Sequence, residues 1–180
     1  MGRPRTLPRL HPQEGEPHEK DHEVAARGPG PGEACTVLRV FGLVPPGDVV
    51  GAAKEILARY EDPFLVASPR AVAGPRHALL SLRRAVRSFE ARTNIAKTVH
   101  MEALLYLTGT RNIGRALELA AVSEGDPGIV LVAERPPEGW ELREELIGGH
   151  FDRTLFGVPP GEDPELWMIE AGALLELEKI

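Results

Sequence analysis

The spacing of apolar residues changes along this chain, and each change marks an element. Cys35-Thr-Val-Leu-Arg-Val-Phe41 has the β-branched content and length of a strand, ended by Gly42 and the Pro45-Pro46-Gly47 turn. Over 48–60 the spacing becomes helical: Val49, Ala53, Ile56, Leu57 and Tyr60 share a face, and Asp48 stands in the first turn. Phe64-Leu-Val-Ala67 reads as a second short strand, closed by Ser68-Pro69. Strand, helix and strand of these lengths predict a right-handed crossover between parallel neighbours. Pro75 can open the next helix, which runs to about Arg92 with Leu79, Leu82, Val86 and Phe89 as its buried stripe.

The stretch 97–122 predicts two helices joined by a tight turn. Thr98 is placed to cap the first, whose apolar residues are Met101, Leu104, Leu105 and Leu107. Gly109 stands where a helix ends in a left-handed residue, and Asn112 can cap the second helix. Ile113, Ala116, Leu117 and Ala120 recur at i, i+3, i+4 and i+7, which predicts the buried face of that helix. Residues 128–133 are nearly all apolar, the pattern of a strand covered on both faces, and Pro136-Pro137 stops it. A short helix is expected from Trp140 to about Leu146, then an irregular stretch or small strand over 150–158. The final helix is expected from Pro164 to about Leu177. Its apolar residues Leu166, Trp167, Ile169, Leu174, Leu175 and Leu177 wrap around most of its circumference, more than one core face needs. Either the helix is deeply buried, or one side joins the core and the other, with Leu166, Ile169, Leu174 and Leu177, is a candidate partner surface. These elements predict an α/β (α+β) domain, a small mixed sheet packed with helices and an αα-hairpin at its centre.

Residues 1–33 hold six Pro and five Gly with few large apolar residues, so they are expected to be a disordered extension before a single domain over 34–180. His11, His18 and His22 in that extension read as solvated rather than as a metal site. One cysteine, Cys35, gives no intramolecular disulfide, and no stretch reaches the length of a membrane span, so the cytoplasm is the expected compartment. The net charge of −6 conceals a segregation. Residues 64–117 carry nine Arg and Lys against Glu90 and Glu102, whereas 118–180 carry four basic against fifteen acidic residues. An acidic protein with a basic block can still hold a polyanion locally. Arg76, Arg83 and Arg87 line one side of the second predicted helix, with Arg84 beside them. The row leads to Lys97 and Thr98, and Arg111 and Asn112 follow in the hairpin turn. Both pairs lie near helix N-termini, where unpaired N–H groups and the dipole favour an anion.

No phosphate-binding loop, dinucleotide fingerprint, Cys/His metal cluster or serine elbow appears. Thr108-Gly109-Thr110 lacks the lysine-serine end of a phosphate loop. His77 and His100 have no nucleophile or carboxylate partner by spacing. The expected protein is a binding subunit without cofactor rather than a catalyst.

Lys97-Thr98 before an apolar helix with Glu102 in its first turn, followed by Leu104-Leu105-Tyr106-Leu107-Thr108-Gly109-Thr110-Arg111-Asn112-Ile113 and Ala116-Leu117, resembles the smallest subunit of the KEOPS (EKC) tRNA-modifying complex, the TPRKB family of kinase-binding proteins. Pro69-Arg70-Ala71-Val72-Ala73-Gly74-Pro75-Arg76-His77 is similar to its archaeal members. The resemblance covers about 35–180. It implies a non-catalytic subunit that docks directly on a small atypical kinase/ATPase. Through that kinase it joins, indirectly, the subunit that transfers threonylcarbamoyl to tRNA. It also implies recruitment of tRNA by its single-stranded 3′ CCA end, with Lys97, Thr98, Arg111 and Asn112 as the matching positions. Cations for phosphates, a guanidinium for stacking and hydroxyl and amide groups for base edges suit that role. Two other readings are a stand-alone α/β regulatory module holding a small anion at the hairpin, and an enzyme using His100 with a carboxylate.

Overall fold

A computed structural model describes residues 36–178. The expected extension over 1–33, with its histidines, and the strand start at Cys35 lie outside the described residues. The elements are β1 (Arg39–Val44), α1 (Val49–Arg59), β2 (Leu65–Ala67), α2 (Pro75–Glu90), α3 (Val99–Thr108), α4 (Ile113–Ala120), β3 (Ile129–Ala133), β4 (Glu141–Leu142) and α5 (Pro164–Leu177), with 3-10 turns at Pro69–Ala71 and Glu144–Leu146. The class is α+β, and no helix among the described residues is long and apolar enough to cross a membrane.

The sheet has four strands in the order β2-β3-β1-β4, and every neighbouring pair is antiparallel. This corrects the expected mixed sheet. β1 and β2 do run in the same direction, but β3 lies between them. Ile129, Val130, Leu131, Val132 and Ala133 of this central strand are all buried, with one face against each of two cores. Val130 and Val132 join the core shared with α2, α3, α4 and α5. Ile129, Leu131 and Ala133 point to the core closed by α1 through Ala52, Ala53 and Ile56.

Two further expectations change. β1 does not stop at Gly42 but continues through it to Val44. Gly42 is there because a Cβ would collide with the Arg143 carbonyl oxygen, so the residue admits close backbone approach instead of ending the strand. Trp140–Leu146 is not a helix. It gives β4 and a 3-10 turn, because the Arg143 amide is drawn to the Gly42 carbonyl at 2.8 Å and the segment joins the sheet edge. On α2 the buried side is His77, Ala78, Ser81, Leu82, Ala85 and Ser88, while Leu79, Val86 and Phe89 are half-buried. Small residues face inward because α3 and α5 both pack closely on this helix.

The predicted caps hold. Thr98 Oγ1 accepts from the Met101 amide at 3.3 Å, and Asn112 Oδ1 accepts from the Arg115 amide at 2.9 Å. Gly109 closes α3 with φ of 66°, a conformation that glycine adopts without a Cβ penalty. On α4, however, Ala116, Leu119 and Ala120 are buried while Ile113 and Leu117 are exposed. The helix is short and covered on one side only, and Leu119 takes the place expected for Leu117.

Both interior histidines are framework residues. His77 Nδ1 accepts from the Ala73 amide at 3.1 Å, so Nε2 carries the proton it donates to the Leu107 carbonyl at 2.9 Å. His100 Nδ1 accepts from the Val66 amide at 3.5 Å, and its ring stacks on Phe64 with centroids 5.4 Å apart. Burial lowers each from an ordinary value of 6.5 to about 4. Between those values the unfolded chain binds protons that the folded chain refuses. Their contribution to stability is therefore complete above pH 6.5 and lost as pH falls toward 4. The melting temperature should drop across that window. His100→Phe, which keeps the stacking shape, should flatten the fall by about half. A melting temperature independent of pH there would contradict the assignment.

Candidate functional site

The basic residues sit on a frame made by α2 and α3, which run antiparallel. His77, near the start of α2, bonds Leu107, near the end of α3; Ser88, near the end of α2, bonds Glu102, near the start of α3. The connection between the helices is fixed by Glu102, whose residue is 0% exposed. Its carboxylate accepts from the Ile95 amide at 2.9 Å, the Ala96 amide at 2.8 Å and the Ser88 hydroxyl at 3.0 Å. These bonds fold residues 94–96 back against α3 and leave Lys97 and Thr98 exposed just before its first turn.

Arg111 and Asn112 are exposed at the other end of the same helix. The Asn112 amide donates to Thr110 Oγ1 at 3.2 Å, which orders the turn into α4. Ten residues of α3 separate the two pairs, a rise of about 15 Å. The structure thus places the four motif residues at two poles of one helix. Arg87 and Arg92 belong to the Lys97 pole, and Arg76 to the Arg111 pole.

The arginines of α2 are not equally available. Glu165, in the first turn of α5, accepts the Arg76 and His77 amides at 2.7 and 3.2 Å and pairs with the Arg76 guanidinium at 3.3 Å. The N-terminus of α2 is therefore already filled by a carboxylate. Glu176 lies 3.7 Å from Arg84 and 3.9 Å from Arg87. Arg84 also donates to the Ile169 carbonyl at 2.9 Å. Arg83, Arg92, Lys97 and Arg111 make no ion pair among the described residues.

α5 turns Met168, Gly172 and Leu175 inward. Leu166, Leu174 and Leu177 are 50%, 60% and 64% exposed on one face, with the exposed Glu170 between Leu166 and Leu174. Ile169 is half-buried, and its carbonyl is the one held by Arg84.

Residues 50–150 match the family model of the kinase binding protein CGI-121. The chain belongs to this family. The matched span runs from α1 past β4 and includes both poles of α3, so the motif read at 97–122 falls inside it. A comparison with curated proteins returned no match. CGI-121 proteins are kinase-binding proteins, and the fold described here is that of a member.

Sequence reasoning missed the roles of Glu165 and Glu176, because fifteen acids after residue 117 gave no ground for choosing two. A glutamate directly after the helix-opening Pro164 was the available signal for the first. Glu102 was seen as part of the motif but not as the residue that holds the loop. Glu102→Gln turns an NH₂ toward donors that need an acceptor. It should lower stability by about 2–3 kcal/mol, measured by urea unfolding. A loss under about 0.5 kcal/mol would show that the loop holds its shape without the carboxylate.

Proposed function

We propose that this chain is the non-catalytic small subunit of a KEOPS-type complex that installs N6-threonylcarbamoyladenosine in tRNA. Membership of the kinase-binding CGI-121 family carries the reading. In it, a small cytoplasmic kinase/ATPase docks on the exposed stripe of α5, with Leu166, Leu174 and Leu177 as anchors and Ile169 at the margin. The threonylcarbamoyl-transferring subunit is reached only through that kinase. The tRNA 3′ CCA end is held by Lys97 and Thr98 at one pole of α3 and by Arg111 and Asn112 at the other. Arg83 and Arg87 add charge along α2, and Arg76 divides its charge with Glu165. The interior histidines support the absence of catalysis in this reading, since the hydrogen bonds and ring stacking found for them are framework contacts.

Leu174→Asp tests the docking face. An exposed leucine contributes little to the fold, so the melting temperature should move by no more than a few degrees. Pull-down of the cognate kinase should fall at least about tenfold, as for loss of an anchor residue. Full kinase binding by Leu174→Asp and Leu177→Asp alike would move the interface elsewhere.

For tRNA, affinity should fall with salt at a log–log slope of roughly 0.7 per phosphate neutralised. Lys97→Glu and Arg111→Glu should each weaken binding, and their free-energy losses should add, because sites more than about 10 Å apart do not couple strongly. Arg5→Glu, outside the basic block, should change little. Trimming the CCA nucleotides should cost as much as either reversal. Equal binding of trimmed and intact tRNA would reduce the basic block to a non-specific polyanion surface.

A further inference from the structure

The two edges of the sheet end differently. At the β2 edge the outward amide of Val66 is taken by His100, so that side is closed. At the other edge β4 is two residues long and pairs only with Leu43 and Val44. The Arg143 amide adds one bond, to the Gly42 carbonyl. Alternate residues of a strand turn their N–H and C=O to opposite sides. Gly42 faces the β4 side, so Val40, two residues back, faces it too, while Arg39, Phe41 and Leu43 face β3. The main-chain groups of Val40 have no partner among the described residues.

Two cavities lie near this edge, one between β1 and α2 and the other between α2, the residues just before β1 and Pro63. One of about 500 Å³ is lined mainly by apolar residues such as Val40, Pro75, Leu142 and Ile147, together with Arg39 and Glu144. The other, of about 490 Å³, is lined by Leu38, Leu80, Val86, Arg83 and Arg87. They lie in line along α2 from Pro75 to Glu90, a length of about 23 Å at the helical rise. An extended chain covers that distance in about seven residues.

We propose that this groove binds an extended segment of a partner protein, which pairs with Val40 and continues the row that β4 begins. Strand addition of this kind takes its affinity from main-chain bonds and its selectivity from pockets for alternate side chains. The apolar lining calls for apolar residues at alternate positions. The Thr36 end carries Arg83 and Arg87 against Glu90, and Arg83 makes no ion pair among the described residues, so that end calls for an acidic residue. A nucleic-acid strand brings no alternating amide and carbonyl groups for Val40. A protein segment does.

The probe is an eight-residue peptide of alternating Val and Thr with two Glu at one end, added to the full chain. Amide hydrogen exchange is read by NMR. Exchange at Val40 should be fast in the free protein and slow at least about tenfold with saturating peptide. N-methylation of alternate peptide amides should abolish that protection. A twin peptide ending in Lys should bind at least about fivefold more weakly, and Arg83→Glu should reverse the preference. Any of four results would overturn the proposal. The peptide could fail to bind, or bind without slowing Val40. Val40 could already be protected in the free chain, which would mean that the edge is filled from within. A single-stranded oligonucleotide could bind in an Arg83-dependent way where the peptide does not, which would make the groove a nucleic-acid surface.

Discussion

One buried carboxylate holds together the frame that carries the candidate site. Glu102 stands at the start of α3 with two backbone amides and a hydroxyl pointed at it. A carboxyl group away from water is tolerable only when its oxygens are satisfied this fully. The requirement works in both directions. The 94–96 segment must fold back to supply donors, and in doing so it fixes where α2 ends, where α3 begins and where Lys97 emerges. The partner bond at the far end of the pair, from His77 to Leu107, holds the two helices in the same register. With both ends tied, the poles of α3 are set by the frame rather than by the surface side chains themselves.

Much of this was legible in the sequence, and the parts that were not share a cause. Thr98, Gly109 and Asn112 announced the hairpin because caps are local chemistry, decided within three or four residues. The uninterrupted run at 129–133 announced a strand covered on both faces. What failed was long-range. Gly42 looked like a strand end, and its true role depends on a carbonyl about a hundred residues away. The parallel neighbours expected of β1 and β2 were separated by β3, a strand that follows them by some sixty residues. Leu117 fitted a helical stripe as well as Leu119 does, and only the cover supplied by the rest of the fold chooses between them.

The same distinction applies to the candidate site. The motif residues were readable, but their separation was not. In sequence, Lys97 and Arg111 looked like parts of one basic block; in space a whole helix lies between them. Spacing along a chain places residues on a common face only within one element. Across an intervening helix it gives a distance, and here that distance favours two points of contact over one.

The charge segregation of the sequence resolves into structure rather than into two opposed surfaces. Acids of α5 reach back to arginines of α2: Glu165 to Arg76, and Glu176 to Arg84 and Arg87. These contacts differ in kind. The Arg84 side chain is 11% exposed, so its cation depends on Glu176 and the Ile169 carbonyl, and loss of either would leave a buried charge poorly paired. Arg87, at 60% exposed and 3.9 Å from the same carboxylate, contributes little to stability and keeps most of its charge for solvent or a ligand. Arg83 is exposed and makes no ion pair among the described residues. The row of arginines in the sequence is therefore three different things: a bolt for α5, a shared cation and an available one. A surface that recognises anions draws on the second and third, while the first keeps α5 pressed to α2 with its leucines turned outward.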